Sequence, residues 1–187
     1  MSLQAIVIGT SAGGMHALHR ILSSLAPGFP VPLLIVQHLS PDFDGGLANT
    51  LRDKTGFFIK EAEDKEEIQA GHAYLAPSNY HLLVEPDKTL SLSMDEKENC
   101  SRPSIDVLFE SAAEVYGKEL MGILLTGASS DGALGLRKIQ IRGGWTIVQD
   151  PDSAEAAFMP RAALALIKPS EVLPLDAIGP YLEKLRG

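Results

Sequence analysis

The sequence predicts an α/β fold: a modified doubly wound, mostly parallel sheet with helices on both faces and an antiparallel edge hairpin. Three observations predict it. Wholly or largely apolar runs at 5–8, 33–36, 122–125 and 145–148 have the length and composition of strands buried on both faces. Stretches with apolar residues at helical spacing separate them. The segment 81–94, HLLVEPDKTLSLSM, instead alternates apolar residues with serines, the period-two pattern of a half-exposed hairpin.

Each element follows in order. The run 5–8 meets a glycine turn. Met15, Leu18, Ile21, Leu22 and Leu25 then recur at helical spacing until Pro27-Gly28 ends them. The run 33–36 leads into Gln37-His38-Leu39-Ser40-Pro41. Residues 47–51 predict a second helix and 57–59 a short strand. Tyr74-Leu75-Ala76-Pro77 closes another strand, and the hairpin turns at Pro86-Asp87-Lys88 with Leu90, Leu92 and Met94 on one face. DEKENCSRP reads as a surface loop. Pro103-Ser104 starts a helix carrying Ile105, Leu108, Phe109, Ala112 and Val115, and Gly117 stops it. The run 122–125 is followed by TGASSDGALGL and a helix with Leu136 and Ile139. A strand at 145–148, a helix near 162–167 and a last helix at 178–185 complete the chain. Without repeats or low-complexity segments, residues 1–187 predict one domain.

Composition narrows the function. The chain is 45% hydrophobic and carries a formal net charge of −8. Binding nucleic acid through its phosphates needs a basic face, and an anionic membrane surface repels such a protein, so neither partner is expected. No apolar run approaches the ~18 residues of a membrane-spanning helix. The start, MSLQAIVIGT, lacks the positive charge of a signal peptide, so the expected compartment is the cytoplasm. Cys100 is the one cysteine, which excludes an internal disulfide and a cysteine zinc site. No H-E-x-x-H or paired-carboxylate pattern is present, so neither metal nor cofactor is expected.

Chemistry concentrates at three turns. In IVIGTSAGG, Gly9, Ser11 and Gly13 fit G-x-S-x-G where a strand becomes a helix, which projects the serine hydroxyl from the carboxyl edge of the sheet. The helix N-terminus behind it, near Ala12 and Gly13, offers N–H groups to an oxyanion. The plain alternatives are a serine helix cap or a phosphate-binding turn. The dinucleotide fingerprint and the P-loop are both absent. A serine nucleophile needs a base, and among His16, His19, His38, His72 and His81 it is His38 that ends the second strand, on the rim that carries Ser11. A carboxylate must orient that histidine. Asp131 follows the strand ending at 125, with Asp150 and Asp42 as rivals that secondary structure alone does not exclude.

At this point the sequence resembles the catalytic domain of the chemotaxis protein-glutamate methylesterase (CheB) family. The landmarks are IVIGTSAGG, IVQHLSPDF, KEAEDKEEIQAGHAYLAPSNYHL, SRPSIDVLFESAA, LLTGASSDGALGL and FMPRAAL, in that order along nearly the whole chain. The resemblance implies a Ser-His-Asp triad of Ser11, His38 and Asp131, chosen over Asp150. It also implies hydrolysis of glutamate γ-methyl esters on the cytoplasmic helices of methyl-accepting chemoreceptors, with deamidation of receptor glutamines as a second activity. Two positions depart from the family: Ala12 stands where threonine is frequent and Ala128 where methionine is, which widens the pocket and removes a hydroxyl. The family's receiver domain has no counterpart in these residues. A catalytically inert regulatory or binding module of the same fold is the competing expectation.

Overall fold

The computed structural model describes residues 2–39, 46–52 and 57–185. Seven parallel strands form the main sheet: β1 (Ala5–Thr10), β2 (Leu33–Gln37), β3 (Phe58–Glu61), β4 (His72–Leu75), and, after a separate hairpin of β5 (His81–Val84) and β6 (Leu90–Ser93), β7 (Leu120–Leu124), β8 (Trp145–Gln149) and β9 (Glu171–Leu173). Their spatial order is β3-β4-β2-β1-β7-β8-β9, and every neighbouring pair is parallel. The helices are α1 (Gly14–Leu22), α2 (Leu47–Arg52), α3 (Ile105–Tyr116), α4 (Ala133–Ile141), α5 (Phe158–Leu166) and α6 (Leu175–Lys184).

The apolar runs become central strands because both of their faces are covered. Successive side chains of a strand point to opposite faces. Ala5 and Val7 of β1, with Leu34 and Val36 of β2, enter a core shared with α3, α4 and α5. Ile6, Ile8, Leu33 and Ile35 enter the other, shared with α1, α2 and α6. A doubly wound, mostly parallel sheet results, as the unbroken apolar runs predict.

One placement is corrected. The hairpin β5–β6 forms with the register His81↔Ser93 to Val84↔Leu90, but as a two-stranded sheet of its own. It does not extend the edge of the main sheet, whose outer strands are β3 and β9. Leu82, Val84 and Leu90 are buried with α3. The alternation that signals a half-buried strand reads one covered face; whether a sheet or a helix covers it leaves the same pattern. Strand β9, three residues long and only half-buried, carries too little pattern to predict.

Chain order reverses between β1 and β7, the kind of switch where the carboxyl ends of an open α/β sheet leave a crevice. Ser11 follows β1, His38 follows β2 and Asp131 lies in the turn after β7. All three therefore reach one rim.

Candidate active site

Ser11 and His38 are neighbours by register. Strands β1 and β2 pair in parallel with Thr10 opposite Gln37, and the N–H of His38 donates to the Thr10 carbonyl at 3.0 Å, so the next residue of each strand extends the same alignment. Thr10 and Gln37 turn toward α1, where both crowd Gly14. Strand alternation then carries Ser11 and His38 toward the α3 face.

The two glycines of the serine motif have different tasks. Gly9 lies inside β1 and makes room for α3: a Cβ there would stand 2.2 Å from Ile105 Cγ2. Gly13 makes the turn, with a φ of 78° in the left-handed region. Around it the backbone is held firmly. The Ser11 N–H donates to the Thr126 carbonyl at 3.0 Å, Gln37 Nε2 donates to the Ser11 carbonyl at 2.9 Å, and Thr126 Oγ1 donates to the Ala12 carbonyl at 2.9 Å. By contrast the Ser11 hydroxyl makes no hydrogen bond among the described residues, and none joins it to the His38 ring. The N–H groups of Ala12 and Gly13 are likewise without acceptors among those residues. The position thus has a fixed backbone, a free hydroxyl and free donors beside it.

His38 Nε2 lies 2.7 Å from Asp131 Oδ2, with the carboxylate wholly buried and the imidazole side chain only 12% exposed. Burying a lone carboxylate is costly unless hydrogen bonds replace its water. Here Asp131 Oδ2 also accepts from the Ile105 N–H at 2.6 Å, and Oδ1 accepts from Asn99 Nδ2 at 2.9 Å, Ser104 Oγ at 2.8 Å and the Asp106 N–H at 3.1 Å. Ile105 and Asp106 open α3, so Asp131 caps a helix to which it does not belong, and the helix N-terminus supports its charge. Burial pulls the Asp131 carboxyl upward, but the bonds from His38, Ile105, Asn99 and Asp106 outweigh it and hold the group below the ordinary carboxylate range. An ionised Asp131 can only accept, so His38 Nε2 carries the ring proton. Nδ1 is then left with its lone pair for a neighbouring hydroxyl.

The rivals that the structure describes have surroundings of their own. Asp150 follows β8 but accepts from the Asp152 N–H at 3.0 Å, capping a 3₁₀ turn over Pro151–Ser153. Asp42 lies outside the described residues. His16 and His19 line an apolar groove with Met15, Thr50 and Leu51 on α1 and α2. His72 begins β4, at the amino edge of the sheet, where its ring stacks against Tyr74.

Four residues around the site escape a reading of the sequence. Asn99, Ser104 and Asp106 surround Asp131, and His81 backs them: its Nδ1 accepts from the Ser104 N–H at 3.1 Å while Nε2 faces the Glu96 carbonyl at 2.9 Å. Ser104 is legible as a helix start, but its hydroxyl serves Asp131 and makes no cap bond of its own. The small loop residues Ala12 and Ala128 are both exposed at the rim. Among the described residues there is no cluster of histidine, cysteine or carboxylate side chains able to hold a metal ion, and no helix is long and apolar enough to cross a membrane.

Known proteins share this architecture. The family model for CheB methylesterase matches residues 6–182. A protein of Leptospira interrogans with the provisional name protein-glutamate methylesterase/protein-glutamine glutaminase is 51% identical over 185 residues, covering 99% of this chain and 96% of its own length. A protein-glutamate methylesterase/protein-glutamine glutaminase of Methanospirillum hungatei is 43% identical over 98% of this chain, which corresponds to 52% of that longer relative. The crystal structure of the Thermotoga maritima CheB methylesterase catalytic domain superimposes with a TM-score of 0.94 at 34% identity, covering 99% of this chain and 100% of that one.

Proposed function

The chain belongs to the CheB methylesterase family, and on that premise we propose that it is a serine esterase removing methyl groups from glutamate γ-methyl esters of chemoreceptors. The whole of 1–187 acts in this reading as one catalytic domain, in the cytoplasm, on the cytoplasmic helices of methyl-accepting receptors. The observation that carries it is the pairing of His38 with a buried, ionised Asp131 beside an unengaged Ser11 hydroxyl.

The chemistry follows from the proton positions. Ser11 Oγ attacks the ester carbonyl carbon and its proton passes to His38 Nδ1, while Asp131 stabilises the imidazolium through Nε2. The N–H groups of Ala12 and Gly13 receive the oxyanion; a single such donor is worth about 10²–10³ in rate. His38 returns the proton to the departing methoxide, releasing methanol and leaving Ser11 acylated. A water, deprotonated by His38, attacks the acyl carbon, and Ser11 Oγ leaves with the proton. Ester and water thus become carboxylic acid and methanol. The same route applied to a glutamine side chain releases ammonia, which accounts for a glutaminase activity without further groups.

Methanol release from methylated receptor membranes tests the reading. The parent protein is expected to release methanol and Ser11→Ala to release none above background. Equal rates from the two would contradict it.

A further inference from the structure

We propose that Asn99 is a positioning residue for the reaction: its side-chain amide bridges Asp131 and Asp106, and so ties the loop lining the His38 pocket to the carboxylate that orients His38. The inference rests on the roles given above to Ser11, His38 and Asp131. It concerns a residue that makes no hydrogen bond to the serine or the imidazole among the described residues.

One amide nitrogen satisfies two carboxylates. Asn99 Nδ2 lies 2.9 Å from Asp131 Oδ1 and 2.8 Å from Asp106 Oδ2. A carboxylate without a proton can only accept, so the nitrogen, with its two hydrogens, must be the end of the amide that points inward. A group with two divergent protons fits between two acceptors of this kind. Asp106 is anchored in turn by the N–H of Gly135 near the start of α4, at 2.6 Å. The bridge therefore links the N-terminal ends of α3 and α4 through the carboxylate on which His38 depends.

The backbone at Asn99 is shaped for this reach. Its φ of 51° and that of Cys100, 62°, lie in the left-handed region, which asparagine tolerates better than most residues. The turn is closed by reciprocal backbone bonds between Glu98 and Ser101 at 3.2 and 2.8 Å. Arg102 pins its far end, donating to Asn79 Oδ1 and to the carbonyls of Met94 and Asp95. Lys97, Cys100, Ser101 and Arg102 of this loop enclose, with His38 and Leu39, a cavity of about 80 Å³. A loop that walls the pocket is thus fastened to the buried carboxylate through Asn99. Its placement bears on how firmly the His38 ring is held.

A mere loop anchor and a positioning residue are distinguished by the pH profile. In Asn99→Asp an oxygen replaces the bridging nitrogen and faces two carboxylate oxygens, with Glu110 on the next turn of α3 adding negative charge and Lys97 and Arg102 in the loop opposing it. The new carboxyl must take up a proton to fit, and one proton serves only one side. Hydrolysis of p-nitrophenyl acetate by Asn99→Asp is expected to fall about 100-fold at neutral pH and to recover in part as pH is lowered, moving the acid limb of the profile. Asn99→Ala is expected to lose about 10-fold in kcat with KM for the small ester unchanged and the profile unmoved. Both variants are also expected to displace the NMR resonance of the His38 Nε2 proton, a readout that needs no turnover. Parent kcat in both variants, a parent pH profile in Asn99→Asp and an undisplaced resonance in either would overturn the proposal. Should Asn99→Asp not fold at neutral pH, Asn99→Ala decides the question through kcat and the resonance. If the parent protein hydrolyses no ester in a Ser11-dependent way, the proposed function fails, and the His38 resonance still reports whether Asn99 holds the pair.

Discussion

The turn after β1 and the turn after β7 are built alike and left in opposite states. Each ends a buried strand and opens a helix through a glycine with positive φ, 78° at Gly13 and 92° at Gly132, and neither helix has a side-chain cap. At the first, the Ser11 hydroxyl and the N–H groups of Ala12 and Gly13 engage nothing among the described residues. At the second, the Asp131 carboxylate takes five hydrogen bonds and is shut away from water. In the proposed reaction, the group that must form and break bonds is thus the one kept free of internal partners, and the group that must only orient another is the one saturated. On that proposal, reactivity is a matter of which polar atoms the fold declines to satisfy.

The sharpest way to break this contrast is to delete each group. Ser11→Ala is expected to remove activity by about 10⁶-fold while shifting stability by no more than about 0.5 kcal/mol, because its hydroxyl holds nothing in place. Methanol release and thermal unfolding measure the two. Asp131→Asn is expected to lose about 10⁴-fold in kcat and also about 3 kcal/mol of stability, since an amide nitrogen would then face a hydrogen-bond donor in a buried site. A stable, inactive serine variant beside an unstable aspartate variant is the expected pair.

The glycines sharpen the same contrast. A Cβ at Gly132 would lie 2.5 Å from Leu124 Cδ1 and 2.7 Å from Ile105 Cγ2, both in the core, so Gly132→Ala is expected to cost about 3 kcal/mol in denaturant unfolding. A Cβ at Gly13 would lie 2.8 Å from both Cβ and Oε2 of the exposed Glu155; the carboxylate can swing aside, but the Cβ moves only with the backbone of its rim loop. Gly13→Ala is expected to cost about 1–2 kcal/mol for the strain of the left-handed backbone, with the shift of that exposed loop in addition.

Legibility in the sequence follows range. Buried strands announce themselves because each carries its pattern within five or six residues. Ser11 and His38 are legible for a related reason: each sits one residue beyond such a strand, and parallel neighbours bring their ends together. The support of Asp131 is not, because its donors at 99–106 lie 25 to 32 residues away and approach only when α3 packs across β1. Asp150 looks equivalent to Asp131 until the cap it forms locally is known. His81 offers no local cue at all, since its partners come from the loop and from the start of α3.

The smallest expected effect concerns two adjacent carboxylates with opposite pH behaviour. Burial raises Asp106 to about 6, partly offset by the Gly135 N–H and helped by the nearby Asp131 charge. Folded Asp106 therefore holds its proton more tightly than the unfolded chain does, and stability is lost as pH rises from the ordinary 3.8 to about 6. Asp131 is shifted the other way: its contribution is present above the ordinary carboxylate value and is lost as pH falls through its lowered one. Asp106→Asn is expected to flatten the decline in Tm across that window by about 2–4 °C and to leave the loss at lower pH intact. Unfolding scans between pH 3 and pH 7, roughly bracketing both groups, measure it.

The central claim is that the fold has left one hydroxyl reactive by leaving it unpaired beside a histidine held from behind. Treatment with a fluorophosphonate and mass analysis of the resulting peptides tests this directly. A single adduct on Ser11, formed far more slowly in His38→Ala, is the predicted result. An adduct on another residue, or an unmodified Ser11 in protein that still hydrolyses esters, would contradict it.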